Sequence, residues 1–467
     1  MAAELPSAQA PEKIPRRRWI LGTIGLSVHQ GVLKSLPGLV AGPVEPRPMV
    51  IDPAKIRSMG IRRLEGSRLT LYTDLPSHPA IEELPQVFEQ AFPQWCSYFQ
   101  VDGQAYNKWR CTAVLIGETE RIVKAGLLPL ELPPFRFGFA RGREIWFFNP
   151  PSDYYRRHLL LHEGTHAFMN SILGNCGPTW YMEGIAELLA SHRWEGGKLQ
   201  MLYFPRDPEE LPLWGRIRMI QEDLKANKFL TLEQILELRP RDAESVELYG
   251  WCWAAATFFE RHPRYHGSFR QLIHWVLQPD FNELFRKSLR EWWNWAEEEW
   301  AVFVHSLEYN HDLSREVLDL SPGWPVPPVG AEVVIAADRG WQNTGLLLEA
   351  GKTYLLQAQG RYQLATEPVI WWSEPGGVSI RYYRGRPLGI LLAAVWPGIV
   401  PGAPPGDAFR NPIPVGLGTR LTPKQTGTLF LRINDSPGEL ADNAGTLTVR
   451  VQLADPLRTM PPEFGSR

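Results

Sequence analysis

The feature that most limits how this chain can fold lies at residues 158–190. The sequence there reads HLLLHEGTHAF, then a turn, then TWYMEGIAELLA. His162 and His166 are four residues apart, a spacing that puts two side chains on one face in an α-helix. Leu159, Leu160, Ala167 and Phe168 supply apolar neighbours that would bury such a helix. Gly174, Asn175, Gly177 and Pro178 then form a turn. A second helix is predicted to start with Thr179 as its N-cap. It carries Glu183 and Glu187 four apart, again on one face. Two helices joined by so short a turn pack antiparallel, which brings this glutamate face toward the histidines.

The residue types give that geometry a chemistry. His162-Glu163-Gly164-Thr165-His166 is an H-E-x-x-H motif, in which two imidazole nitrogens can reach one zinc ion at about 2.0–2.1 Å. Glu163, one residue on, leans beside the ion and can accept a proton from water. Glu183 then supplies a third ligand, and catalytic zinc typically has three protein ligands with one position open. Glu187 is placed to hydrogen-bond the far nitrogen of a ligand histidine, which fixes tautomer and ring orientation. His158, four residues before His162, is a neighbour of the site and not a ligand.

H-E-x-x-H followed by W-x-x-E-G-x-A-E resembles the gluzincin metallopeptidases, in particular the peptidase-MA-like bacterial group. Residues 162, 163, 166 and 183 match that family's ligands and base, and Glu187 matches its following acidic position. The resemblance covers roughly residues 60–310. It implies a zinc peptidase that hydrolyses peptide bonds with Glu163 as general base. It also implies an oxyanion donor on a downstream helix, for which Tyr249 is the candidate. A strand ahead of the active-site helix would bind peptide by edge pairing, with Glu144–Phe148 as the expected segment.

Patterning divides the rest of the chain. Residues 1–50 hold Arg16-Arg17-Arg18 before a modest apolar run, as in a twin-arginine export signal, so export to the periplasm or beyond is expected. Residues 51–318 form the zincin-like α+β part. Arg68 to Tyr72, Thr112 to Ile116 and Glu144 to Phe148 read as strands, and Ala80 to Phe92 as a helix stopped by Pro93. From Tyr154 to about His311 the pattern is helical, including Leu248 to Phe259 and the Trp292–Trp300 run. Residues 319–330 are a Pro-rich linker. Residues 331–456 alternate in short runs, at Tyr354/Leu356/Ala358, Leu429/Leu431/Ile433 and Leu447/Val449/Val451, which predicts an all-β sandwich interrupted by a Pro/Gly-rich loop at 397–414. Residues 457–467 are a tail.

Near the end of the sandwich stands Asn434-Asp435-Ser436-Pro437-Gly438-Glu439-Leu440-Ala441-Asp442-Asn443-Ala444-Gly445. Oxygen donors around a tight loop suit calcium, which takes six to eight of them; a polar hairpin turn reads equally well from the same residues. The stretch is similar to the calcium loop of bacterial galactophilic lectins. That resemblance implies a jelly-roll-like form for the all-β sandwich, Asp435, Asp442 and Asn443 as side-chain ligands, Glu439 through its backbone carbonyl, and carbohydrate as a further partner.

Bulk composition removes some classes. With 49 Lys+Arg against 51 Asp+Glu the net charge is -2, so no nucleic-acid partner is indicated. No stretch after the leader has about 20 consecutive apolar residues, so no further membrane span is expected. The four cysteines contain no CxxC pair, and disulfides are permitted but not required. The 19 tryptophans read mainly as core. The leading expectation is an exported zinc peptidase acting on peptide or protein, with an accessory calcium- and carbohydrate-binding-like domain. The alternative is a surface- or carbohydrate-binding protein whose peptidase-like part is catalytically idle. An intact Glu163 argues against that alternative.

Overall fold

Strand segments that are apolar at nearly every position must be covered on both faces. Two such segments, Cys111–Ile116 and Glu144–Phe148, sit inside the N-terminal sheet of the computed structural model, which describes residues 48–239, 246–290, 292–400 and 402–454. The sheet comprises β1 (Arg62–Glu65), β2 (Leu69–Thr73), β3 (Cys111–Ile116), β4 (Gly138–Arg141) and β5 (Glu144–Phe148), in the order β1-β2-β3-β5-β4. Strands β2, β3 and β5 are parallel, while β1 and β4 are antiparallel edges. Alternation then sorts the side chains. Leu71, Ala113, Leu115, Ile145 and Phe147 join the large helical core, and Tyr72, Val114, Ile116 and Trp146 join a smaller core on the other face.

The helical part around the site includes α1 (Leu84–Tyr98), α2 (Asp153–Phe168), α3 (Thr179–Ala190), α4 (Arg216–Lys225), α5 (Val246–Arg261) and α6 (Trp292–Ser306). The expected stop at Pro93 is corrected, since α1 runs through it to Tyr98. Burial outweighs the lost backbone bond. Trp95, beyond the proline, is fully buried and donates its indole N–H to Thr165 Oγ1 at 3.0 Å. Ser152 caps α2 by accepting from the Tyr155 N–H. The cap of α3 is Pro178, with no side-chain bond, so Thr179 is its first helical residue and not its cap. Between α3 and α4 lies a hairpin, His192–Glu195 with Lys198–Met201, inside a stretch expected to be helical. Gly196 and Gly197 at φ 57° and 73° supply the turn it needs.

Two glycines fix how tightly the helices pack. A Cβ on Gly164 would stand 2.8 Å from both Phe88 and Trp95, so α2 rests closely on α1 there. A Cβ on Gly184 would stand 2.7 Å from the Cys252 carbonyl oxygen, so α3 lies equally close to α5. All four cysteines are free and buried.

The C-terminal part is β-rich and forms two facing sheets without closing into a barrel. One sheet orders Ile413–Pro414, Leu391–Trp396, Gly427–Ile433, Gln342–Leu348 and Trp324–Pro325; the other orders Gly418–Leu421, Tyr354–Gln359, Thr446–Leu453 and Ala331–Ala336. Leu356, Leu391, Leu429, Leu431, Val449 and Val451 fill the space between them. The stretch read as a linker is built into this unit, because Trp324 and Pro325 pair in parallel with Leu346 and Leu347. Strand Gly427–Ile433 is buried along its whole length. Its far face, with Phe430, packs among Val302 of α6, Trp341, Leu392 and Phe409, so the 397–414 loop covers the sheet. Among the described residues no helix is long and apolar enough to cross a membrane. Residues 1–47 of the leader and the whole of the tail lie outside the described residues.

Candidate metal centre

Helix α2 carries His158, His162 and His166 on one buried stripe, and α3 faces it with Glu183 and Glu187. His162 Nε2 and His166 Nε2 are 3.1 Å apart, and Glu183 Oε2 lies 3.3 Å from the first and 3.5 Å from the second. Donor atoms about 2.0–2.1 Å from a tetrahedral ion stand roughly 3.3–3.4 Å from one another. The three atoms therefore have the spacing of three corners of a zinc site. Glu183 Oε2 is buried and makes no hydrogen bond. An orphaned carboxylate oxygen between two imidazole nitrogens is what a site built for a cation would present. Two nitrogens and one carboxylate oxygen fit zinc in chemistry as well as in spacing.

His158, His162 and Glu187 form a second close group that shares His162. Here the carboxylate is already engaged. Arg216 of α4 donates to both oxygens of Glu187, at 2.9 and 2.8 Å. Glu187 Oε1 also lies 3.4 Å from His162 Nδ1, and Oε2 lies 3.3 Å from His158 Nε2. Glu187 is thus the hub of a buried network, and its contact with Nδ1 leaves His162 Nε2 free for the first group. His158 stays outside that group and sends Nδ1 to the Ala190 carbonyl at 3.1 Å.

The charges respond to this packing. Burial alone would raise the Glu183 carboxyl, but the adjacent imidazoles of His166 and His162 hold it down at about 2. Burial alone would lower His162, yet its contacts with Glu183 and Glu187 raise it to about 9. Burial would also raise Glu187, and the Arg216 and His158 charges outweigh it and keep Glu187 ionised. Glu163 differs. Burial raises it above the usual carboxylate range, against the pull of His162 and His166. A buried carboxylate with a raised affinity for protons suits general-base work.

A cavity of about 510 Å³ opens at this point and is lined by Phe137, Gly138, Leu159, His162, Glu163 and Tyr249, with Glu187 and Arg216 reaching it. Tyr249 on α5 meets His162 edge to face, with ring centroids 5.9 Å apart. Burial, then the nearby Glu183, Glu163 and Glu187, push its phenol up, so it stays a protonated donor. Of the residues expected from sequence, His162, Glu163, His166, Glu183, Glu187 and Tyr249 all come together here.

The expected substrate strand does not. Glu144–Phe148 is an interior strand, paired with β3 on one side and β4 on the other, so its backbone is not free to take up a peptide. The edge beside the cleft is Gly138–Arg141. It approaches the base so closely that a Cβ on Gly138 would stand 2.5 Å from Glu163 Oε1. Its signal in the sequence was Phe135, Phe137 and Phe139 alternating ahead of Arg141-Gly142-Arg143-Glu144, a two-residue hairpin with Gly142 at φ 58°. Arg216 had no sequence signal, since its partner Glu187 lies on a different helix.

The calcium candidates cluster in a different way. Asp435 is buried; Oδ1 accepts from the Ser436 N–H at 2.8 Å and Oδ2 from Asn443 Nδ2 at 3.0 Å. Glu439 places its side chain on Arg381, with both contacts at 2.8 Å. The Asp442 carbonyl accepts from Gln363 at 2.7 Å. Asn443 Oδ1 is buried without a partner. Burial raises Asp435 to about 6 against the bonds from Asn443 and Ser436, and the Glu439 charge adds to the rise.

No protein-family model matches this chain. No curated protein matches it either. Among solved structures, one described as "EclA N-terminal domain; PllA-like lectin" is similar to 26% of this chain and is covered over 95% of its own length, at 24% identity and a TM-score of 0.20. At that score the likeness carries no argument about function.

Proposed function

We propose that this chain is a zinc-dependent peptidase of the gluzincin type, with His162, His166 and Glu183 as the metal's ligands. The observation that carries the reading is Glu183 Oε2, buried, without a hydrogen bond, and facing both Nε2 atoms at 3.3 and 3.5 Å. When bound, zinc would supply Lewis acidity, polarising the scissile carbonyl and making water a better nucleophile near neutral pH. Glu163 removes the proton from the attacking water and delivers it to the leaving nitrogen. Tyr249 donates a hydrogen bond to the oxyanion that develops on the carbonyl oxygen. Glu187, clamped by Arg216, holds the His162 ring so that Nε2 points at the ion. The substrate backbone pairs with the free edge of β4, where Gly138 leaves it room to pass Glu163. Phe137 and Leu159 would favour apolar side chains in the adjoining cavity.

The test is hydrolysis of a peptide library by the full chain, with metal content measured on the same sample. The proposal expects about one zinc per chain, cleavage lost to a chelator, and Glu163→Gln inactive with its zinc retained. Zinc-loaded protein that cleaves no peptide, or a Glu163→Gln variant that cleaves as fast as the parent, would overturn it. For the β-rich part, the unpartnered Asn443 Oδ1 beside buried Asp435 favours an accessory cation site, and calcium is the ion its oxygen donors suit. Calcium-dependent binding on a glycan array would extend that reading to carbohydrate.

A further inference from the structure

We propose that a second cavity, between α6 and the five-stranded sheet of the C-terminal part, binds a small oxyanion of the phosphate or sulfate class. The cavity measures about 170 Å³, the share of roughly six waters at ~30 Å³ each. That is room for one tetrahedral oxyanion with a few of its waters, and too little for a peptide. Among the described residues its lining includes Arg384, Arg386, Arg410, Arg432 and His305, and no Asp or Glu.

These side chains come from four segments of the chain. His305 comes from α6, Arg384 and Arg386 from the hairpin Val378–Tyr383 with Arg386–Leu388, Arg410 from the loop covering the sheet, and Arg432 from strand Gly427–Ile433. Gathering like charges from four segments around one void is unfavourable unless something negative joins them. The carboxylates that do pair lie outside the lining. Glu308 takes Arg384 at 3.2 Å, Asp407 takes Arg410, and Glu316 takes Arg432 at 3.4 Å. Three carboxylates against four guanidinium groups leave one positive charge over.

That charge belongs to Arg386. Its hydrogen bond goes to the Pro412 carbonyl at 3.2 Å, and it pairs with no carboxylate among the described residues. Its remaining donors form the planar fork that matches phosphate and sulfate oxygens. His305 reports the local field: burial first, then the Arg410 and Arg384 charges, push its imidazole below the usual range. Trp341 and Phe409 add apolar lining beside these donors. An anion seated here would bridge the helical part to the sandwich.

The test is calorimetric titration of the full chain with sodium phosphate, sodium sulfate and sodium acetate, at ionic strength held constant with sodium chloride. Saturable binding of phosphate or sulfate at one site per chain is expected, weakened about tenfold or more by Arg386→Gln. Arg386→Lys, which keeps the charge and loses the fork, should fall between the two. If Arg386→Gln lowers the melting temperature of the unliganded chain, Arg410→Gln replaces it, with the same expected loss. No saturable heat, binding unchanged in the variants, or acetate bound as tightly as phosphate would each overturn the proposal. None of these outcomes depends on zinc or on peptide cleavage.

Discussion

The His/Glu centre and the Asp435–Asn443 loop were both marked by motifs, and they differ in what their donor atoms do. Between α2 and α3, Glu183 Oε2 has no hydrogen bond and faces two nitrogens that also converge. In the loop, both Asp435 oxygens accept bonds from within the loop, and the Glu439 side chain is turned to Arg381. Among the buried side-chain atoms of the loop, Asn443 Oδ1 is the one without a partner. Helices impose convergence, because i, i+4 spacing fixes where two side chains point. A turn rich in Asp, Asn and Gly can satisfy its own groups. The first region therefore points to a cation more strongly than the second, whose sequence reads equally well as a polar hairpin turn.

The sharpest challenge to this contrast is at Glu163. Its replacement by Gln is expected to lower peptide hydrolysis by about 10²–10⁴-fold with zinc content unchanged. Steady-state kinetics alongside metal analysis checks this, and a parallel loss of zinc would make Glu163 a ligand instead of a base. Gly138→Ala comes next. Its Cβ would meet Glu163 Oε1 at 2.5 Å, so the base must shift. A displacement of that kind is expected to cost roughly 10²-fold in kcat/KM while metal binding stays intact. Unchanged kinetics would mean that β4 yields and is not a rigid edge.

A third prediction concerns the contact that joins the helical part to the sandwich. Burial alone would raise Glu316, but the His311 imidazole and the Arg432 guanidinium hold it at about 2, below its ordinary 4.5. A depressed carboxyl contributes stability that is fully present above pH 4.5 and is lost as pH falls toward 2. The contribution is about 3 kcal/mol at ~1.36 kcal/mol per pH unit. Denaturant melts of the parent chain and Glu316→Gln across pH 2–6 should converge at the acid end. Curves that stay parallel would contradict the pairing. The smallest effect is expected at the loop. Millimolar calcium should raise the melting temperature of the parent chain and not of Asn443→Ala, with peptide cleavage unaltered in both. An equal rise in the two would place the calcium elsewhere.

Much of the centre was legible because helical periodicity is a local property. His162, His166, Glu183 and Glu187 needed only two helices and a turn, and β5 and the sandwich strands followed from their apolar runs. What failed was decided at long range. Pro93 reads as a stop, yet Trp95 buries itself against Thr165, 70 residues away in sequence. Glu144–Phe148 reads as a strand, but nothing in it says that Gly138–Arg141 will cover its edge. Arg216 carries no local sign of its role and lies buried at 4% exposure on Glu187. Pairings across elements carry no period, so a single sequence does not display them.

Everything proposed for the cleft depends on two imidazoles and one carboxylate sharing one ion. Zinc-edge X-ray absorption on the purified full chain, repeated on His166→Ala, interrogates that arrangement without recourse to a substrate. One zinc per chain is predicted, with two histidine nitrogens and oxygen donors in its shell, and its loss in the variant. A chain without zinc, or one whose zinc shell is unchanged by the substitution, would contradict the shared site.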